Sequence, residues 1–598
     1  MTDAVITSGT QAAPAPDTGA PSDAVDAAVA MRVRAGLRRV AWAFAVTCLY
    51  ALAAVVVTWP LVTALPSSVM LAAEHALTVQ LFTMWTLWWT ADRLPHLFAG
   101  YWDAPSFHPN PGVFTYSEPE PLVGVAVAPL WWLGAPPALI HNIALLGVLV
   151  LNGLFAYRLA RTLGIARPPS LVGGIIMLAL PFVAGLFGVI NLMPVFGMLW
   201  VLDGVVRFSR DGSLRSAIWS AAGFLAAYFT CQQYALMFSP FAGGALVLAL
   251  GLRRFEPKAM LRLAGPWLAA ALVILLVAWP GLQLHHQLGF VRPEALVQKL
   301  SATPGDFVVR PETAWLDVPR RKHMTEDTSG LFPGALLLAL AVAGTVMGWR
   351  RPGLRAWTAF FAAGAVLAAV LAMGFNVSIE GLSPYHALRA LLPGFSGLRS
   401  AFRYAIIMQM MLAVLSVIGL ALLARRARPA GRKAQALVLL VGLLAAVENL
   451  TVPVPLAEVP TTPRTAWTEW LRAQPEGTVV AHIPFAQGVT VKEHEVDAWY
   501  MFAQMYHGKP IVNGYSGWFP PGYTPFQLEM ARLFPQHGLL CTLHKGLGVN
   551  TLVVDRSWLA AHEPDMARHS EFLTPAYSDR QVQIYRLWVP DDQCVPDR

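Results

Sequence analysis

Charge is what this chain most lacks. Asp, Glu, Lys and Arg make up 13% of its 598 residues against 56% apolar ones, and the mean hydropathy is +0.51. A soluble domain carries about twice that share of charge, so a soluble fold is excluded. Cysteine is scarce too: four residues cannot build a disulfide framework. Cys48 and Cys231 fall inside apolar segments and read as packing residues, which leaves Cys541 and Cys594 as the pair able to bond. There is no phosphate-cradling GxxxxGK[ST], no HExxH and no CxxC, and His285, His286 and His323 lack metal-ligand spacing, which argues against a nucleotide-driven enzyme. Charges in the middle of apolar runs are nearly absent. Asp203 and Arg158 lie near one end of their runs and Glu448 near another, so a coupled transporter with titratable groups at the midplane has little support. The formal charge of +8 does not point to nucleic acid, because the basic residues form small clusters between apolar runs.

Long apolar runs are what the chain has instead. Those of spanning length cover 41–61, 138–160, 169–186, 188–206, 214–231, 234–252, 264–284, 331–349, 356–374, 403–424 and 434–452, about eleven in all. Residues 1–30, rich in Ala, Pro, Ser, Thr and Asp, read as a disordered cytoplasmic tail. The first run begins only after Arg32, Arg34, Arg38 and Arg39, with no small-residue cleavage site close behind it, so it reads as a span rather than a leader. With the N-terminus inside, the basic clusters around Arg161, Arg207, Arg253, Arg350 and Arg425 all fall on cytoplasmic loops. Residues 62–137, 285–330, 375–402 and everything after 453 then lie outside. The cluster Arg320, Arg321 and Lys322 breaks the charge rule and calls for another reason.

The fold expected is therefore mainly α, a polytopic helical membrane protein with a transmembrane domain over 31–452, an acidic first outer loop at 62–137, and a tail domain at 453–598. Two apolar runs, 77–91 and 122–133, are too short to span comfortably and read as interfacial or re-entrant helices. In the first, Leu77, Leu81, Met84, Trp85 and Trp88 recur at helical spacing, opposite Thr78, Gln80, Thr83 and Thr90. The last 145 or so residues alternate short β-rich runs (from 478, 509, 550 and 582) with helical patterns, which predicts a small outer α/β domain. A helix is expected to start at Thr524 as N-cap, with Pro525 in its first position and Gln527 completing a capping box.

Chemistry concentrates between Glu74 and Pro121, where Glu74, His75, Asp103, His108, Glu118 and Glu120 surround the Trp-rich MWTLWW. In SEPEP, Glu118 and Glu120 are held by flanking prolines in a stiff extended segment. Such carboxylates can take a proton from an acceptor hydroxyl or hold a divalent cation; they can equally be solvated loop charges. In LLPGFSGLRSAFRY, Arg399 and Arg403 stand at i, i+4, which predicts both guanidiniums on one helix face at the interface. They can clamp a lipid-linked phosphate or simply snorkel at a helix end.

The succession of MWTLWW, FHPNPGVFTYSEP, FAYRLARTLG, LVGGIIMLALPF, LLPGFSGLRSAFR and NGYSGWFPPGY, from about residue 41 to 590, resembles bacterial membrane proteins of the GT-C glycosyltransferase superfamily. The resemblance implies an enzyme in the bacterial cytoplasmic membrane, N-terminus inside and C-terminal domain extracytoplasmic. It would transfer a sugar from a polyprenyl-phosphate carrier to a glycan, lipid or protein acceptor, with inversion and a carboxylate general base. Similar proteins carry a Gly-Asp pair where this chain has Val79, ten residues before Trp89. Glu74 and Glu118 are then the expected catalytic acids. Arg399, Arg403, Arg320 and Arg321 are expected on the donor phosphate, and His75, Asp103, His108, Glu120, Trp88 and Trp89 along the substrates. For Trp88 and Trp89 an interfacial belt is the competing role. Asn513, Tyr515 and Trp518 are acceptor candidates, although a turn at Asn513-Gly514 explains that string as well. No cofactor is fixed by the residues; a divalent cation, Mg or Mn, is the one to consider. The rival reading is a non-catalytic flippase of lipid-linked saccharides or an envelope-assembly protein of the same fold, favoured by the missing Gly-Asp pair.

Overall fold

The computed structural model describes residues 20–71, 76–309, 330–378, 380–381, 383–461 and 464–594. Glu74, His75, Arg320, Arg321 and Lys322 therefore lie outside the described residues. The chain divides into two units, Met1–Leu49 and Tyr50–Arg598. The first contributes most of the helix Ala20–Val57, which begins inside the segment read as a tail. The contacts and the site described below belong to the second.

Every one of the eleven expected runs is helical. Among the described residues eight helices are long and apolar enough to cross a membrane, and the places at 214–231, 331–349 and 434–452 hold shorter ones, Leu214–Thr230, Ala335–Trp349 and Arg432–Val447. Prolines open many of these helices, among them Pro121–Trp132, Pro137–Thr162, Pro257–Gln287 and Pro352–Ala372, because the first helical residue has no N–H partner to lose. A few buried amides bind the bundle. Asn152 accepts the N–H groups of Val195 (2.8 Å) and Phe196 (2.9 Å) that open the helix Phe196–Asp211. Gln409, on the late helix Ala405–Arg426, accepts from Phe182 N–H and donates to the Gly330 and Leu331 carbonyls. Asp203 is fully buried but satisfied by Arg207, Trp219 and Thr162, so it belongs to the framework rather than to an ion path.

The loop between the first two spans departs from the expected picture. The short helix Thr78–Arg93 does not lie along an interface with one polar side: Thr78, Gln80, Thr83, Thr86 and Thr90 are buried along with its apolar residues. It is enclosed by the helix Pro121–Trp132 on one side and the C-terminal helix Glu495–His507 on another. Trp85 Nε1 donates to Gln504 Oε1 at 2.9 Å, Thr78 Oγ1 to the Val491 carbonyl at 2.7 Å, and Glu495 accepts from Leu77 N–H at 3.2 Å.

The C-terminal region is a small α/β domain. Strands β1 (Ser68–Met70) and β2 (Leu456–Glu458) pair antiparallel and tie the first outer loop to the segment after the last bundle helix. Four further strands, β3 (Val480–Ile483), β4 (Thr551–Asp555), β5 (Leu573–Ser578) and β6 (Val582–Leu587), form a sheet of order β3-β4-β6-β5 in which only β3 and β4 are parallel. The run from 509 supplies a single bridge, Ile511 to Val480, and no full strand. Alternation along the strands separates two cores. Ala481, Ile483, Leu552 and Val554 face the domain's own helices. Val480, Val553, Val582 and Ile584 face the first outer loop, sharing one core with Trp85, Trp89, Tyr101, Phe107, Phe114 and Tyr116. The expected capping box at Thr524 is absent: the helix is Tyr523–Leu533 with Gly522 (φ 79°) as its cap, and Gln527 is turned inward to donate to the Ala486 and Gly488 carbonyls. Cys541 and Cys594 are disulfide-bonded, with Cα atoms 5.5 Å apart.

Candidate functional site

A cavity of about 500 Å³, within the range that holds a small ligand, opens where the ends of several helices meet the loop after the first span and the C-terminal domain. Its polar wall includes Glu118, Glu120, Asn191, Gln233, Arg292, Arg399 and Arg403; its apolar wall includes Phe182, Leu186, Leu236, Ile274, Ala278 and Leu282.

The SEPEP segment supplies the acids. Pro119 and Pro121 restrict it, and Glu120 sits in the left-handed region (φ 47°) directly before the helix that Pro121 opens. Glu118 is half-buried and accepts from Gln233 N–H at 3.2 Å, while its other oxygen is enclosed without a hydrogen-bond partner. Burial pushes its carboxyl above the usual range, opposed by the Cys231 thiol and the Arg403 cation. Glu120 is 4% exposed, and burial followed by the charge of Glu118 drives its carboxyl well up.

The cations come from separate segments. Arg399 and Arg403 do not share a helix face as their spacing suggested: Ser400 is non-helical (φ −113°, ψ 85°), residues Ala401–Tyr404 form a 3₁₀ turn, and the helix starts at Ala405. Both nevertheless line the cavity. Arg403 donates through Nη1 to Gln233 Oε1, so Gln233 touches the carboxylate with its backbone and the guanidinium with its side chain. The third cation, Arg292, follows the long helix Pro257–Gln287. It donates to the Gly517 carbonyl, and its guanidinium carbon lies 3.4 Å above the Trp518 ring. Burial, then Arg399 and Arg403, lowers its pKa to about 9. Trp518 also stacks on Phe290 at 4.6 Å and 3°. Two groups that close cannot share one face, so both faces of Trp518 are covered and none is left for a sugar.

Of the residues singled out from sequence, Glu118, Glu120, Arg399, Arg403, Tyr515 and Trp518 line the cavity. Trp88 and Trp89 do not: Trp89 donates to the Tyr101 carbonyl at 2.8 Å inside the shared core, and Trp88 packs beside it. Asp103 is exposed and caps Gly112 N–H at 2.8 Å. His108 pairs through its backbone with Ile511, and Asn513 holds the backbone of His482. Val79, at the position where the resemblance implies an acid, is on the cavity wall. Arg292 and Gln233 were missed. Each was visible as a polar residue bordering an apolar run, but nothing local in sequence marks the side it faces. As ligands for Mg or Mn, Glu118 and Glu120 are the two carboxylates on the cavity wall, and no group of three His, Cys, Asp or Glu forms among the described residues. Two carboxylates beside three guanidiniums are a poor match for a divalent cation.

No protein-family model and no curated protein sequence matches the chain. Solved structures do. The arabinofuranosyltransferase AftD from Mycobacteria superposes over 92% of this chain with a TM-score of 0.55 at 16% identity, and a variant of the same protein over 92% with 0.52 at 17%. The oligosaccharyltransferase AglB from Archaeoglobus fulgidus gives 0.45 at 12% identity, covering 92% of this chain and 75% of that one. The match occupies 40% of the AftD chain, so this protein spans about two fifths of its length. The chain thus shares the fold of the part of AftD that it superposes on, with a small α/β domain packed against the loop that follows its first span.

Proposed function

We propose that this protein is a membrane glycosyltransferase that moves a sugar from a polyprenyl-phosphate carrier to an acceptor hydroxyl, with inversion. One observation carries the reading: a half-buried carboxylate, Glu118, and the guanidiniums of Arg399 and Arg403, remote in sequence, line one cavity with an apolar wall. Glu118 takes the acceptor proton as the acceptor oxygen forms its bond to the anomeric carbon. The bond from that carbon to the phosphate oxygen breaks on the opposite side, and the arginines stabilise the charge left on the carrier. In-line attack inverts the centre. The AftD likeness supports the general kind of reaction through its fold. Basic clusters on the alternate loops and the Cys541–Cys594 disulfide favour a bacterial inner membrane with the site on the oxidising outer side.

The test is incubation of purified protein in lipid nanodiscs with radiolabelled polyprenyl-phosphate sugars and released carrier phosphate as readout. Glu118→Gln is expected to lower turnover by about a hundredfold or more. Release that survives unchanged in that variant sinks the assignment. Val79 on the cavity wall favours one other reading, a non-catalytic flippase. A flippase would move a labelled glycolipid across proteoliposomes as fast in the Glu118→Gln variant as in the wild type, and would release no carrier.

A further inference from the structure

Part of the cavity wall carries no formal charge: Trp102, Thr115, Gly281 and His285 come from the loop after the first span and from the end of the helix Pro257–Gln287. Loop and helix end are pinned together. A Cβ on Gly112 (φ 67°) would stand 2.4 Å from Leu284 Cδ2. The 3₁₀ turn Val113–Thr115 that follows it bonds on both sides: Phe114 N–H donates to the Trp102 carbonyl at 3.0 Å, and the Thr115 carbonyl meets His285 Nε2 at 2.8 Å. A carbonyl oxygen only accepts, so Nε2 carries the proton and the tautomer is fixed. With Arg292, Arg399 and Arg403 on the same wall, a second proton on the ring would add a fourth cation. Nδ1 is therefore a bare acceptor. Among the described residues it has no hydrogen-bond partner, and it is not an enclosed atom, so a ligand can reach it. Trp102 is half-buried, and the one ring it meets among the described residues is that of Tyr101, edge-on at 5.0 Å and 64°. Since Trp518 is covered on both faces, Trp102 is the indole on this wall with surface to offer.

An apolar ring face beside a neutral hydrogen-bond acceptor matches a sugar residue, which has a face of C–H groups and a rim of hydroxyl donors. In the glycosyltransferase reading above, Glu118, three residues after Thr115, takes the proton of the reacting hydroxyl. Nδ1 then needs a second donor on the same molecule; a sugar has one on another carbon, and a serine or threonine side chain has none. Resting on that reading, we propose that Trp102 and His285 form the acceptor subsite and that the acceptor is a sugar residue. Its C–H face lies on the Trp102 indole, and one hydroxyl donates to His285 Nδ1 while another is left for Glu118. His285 transfers no proton in this role: it orients the acceptor.

The test is saturation-transfer NMR on the full-length protein in nanodiscs, with methyl pyranosides and furanosides set against N-acetylthreonine methylamide. Glycosides are expected to bind, with saturation strongest on the C–H protons of one ring face. His285→Gln, whose amide N–H can still serve the Thr115 carbonyl, is expected to weaken glycoside binding about tenfold while keeping the melting midpoint. Trp102→Phe is expected to keep part of the affinity and Trp102→Leu to remove the face preference. In the carrier-release assay, His285→Gln should raise the KM for added glycoside more than it lowers kcat. Glycoside binding that is the same in His285→Gln and Trp102→Leu as in the wild type overturns the subsite. Binding of the threonine amide in place of glycosides overturns the sugar class. Binding of neither, with carrier release still dependent on Glu118, overturns the subsite and leaves the glycosyltransferase reading standing. Glycoside binding with no carrier release from any donor overturns the acceptor role together with that reading.

Discussion

Glu120 turns the backbone left-handed directly before Pro121, a conformation that costs a non-glycine residue about 1–3 kcal/mol and that the following proline disfavours further. That strain is held where two carboxylates meet a cavity, directly after Glu118, which accepts from Gln233 N–H, and its following proline. The acid that matters is then set by its surroundings. Because burial raises the Glu118 carboxyl and Arg403 opposes the shift, the pH profile carries a signature. A general base works ionised, so turnover is expected to rise with pH through a midpoint above the ordinary carboxylate range. Removing the cation in Arg403→Gln takes away support for the ionised form, and the acid limb should move to higher pH. Rate profiles of the two proteins check this; a limb that stays in place or moves to lower pH shows that Arg403 does not act on the base. SEPEP marked these acids because two prolines around two glutamates are visible in one glance. The Arg399–Arg403 spacing misled about geometry, since Ser400 breaks the turn that i, i+4 presumes, yet both residues still face the same space.

At the scale of elements, two contacts explain features that composition left open. The helix Ala335–Trp349 is only 15 residues long, and it crosses the late helix Ala405–Arg426 glycine against glycine. A Cβ on Gly344 would stand 1.9 Å from the Leu415 carbonyl oxygen, and one on Gly419 would stand 2.2 Å from that of Leu340. Close approach through small residues is how membrane helices gain packing without a hydrophobic drive. Gly344→Leu is expected to destabilise the bundle by about 2 kcal/mol, measured by denaturant unfolding in detergent; an unchanged midpoint would mean the helices part without cost. The second contact lies under the outer sheet. His482 on β3 and His507 at the end of Glu495–His507 are both buried, each with its Nε2 unpartnered, and their rings are 5.9 Å apart. Burial lowers His482 to about 3, and burial together with His482 and Lys509 lowers His507 well below its usual value. Both pKa values are depressed on folding, so the stability they contribute is whole above the unfolded value near 6.5 and is lost as pH falls below it. For His482 the loss is on the order of 3 kcal/mol by pH 4. Amide protection factors along β3, taken relative to the intrinsic exchange rate at each pH, should fall below about pH 6, and His482→Phe, which keeps a ring against Tyr500, should remove part of that dependence.

For the whole molecule, the lengths of the apolar runs were enough to locate the helices, because each run reports a helix independently of the others. The union of the first outer loop with the C-terminal domain could not be read that way. Trp85 and Trp89 have the composition of an interfacial belt, and a local pattern cannot tell headgroups from protein as the partner of an indole. The structure gives both indole N–H groups protein acceptors, Gln504 and Tyr101. Gln504 is the joint. Fully buried, it accepts from Trp85 Nε1 and donates to the carbonyls of Pro105 and Lys509, so one side chain binds the Trp helix, the loop behind it and the end of its own helix. Replacing it with alanine leaves a buried indole N–H and a buried carbonyl without partners, each costing about 1–3 kcal/mol. Gln504→Ala is therefore expected to loosen the two segments together. Hydrogen exchange should rise in 78–93 and in 495–507 in parallel, while the bundle helix Ala405–Arg426 keeps its protection. Faster exchange in the C-terminal helix alone would show that the first outer loop stands without it, and that the shared core is a contact between two separately stable parts.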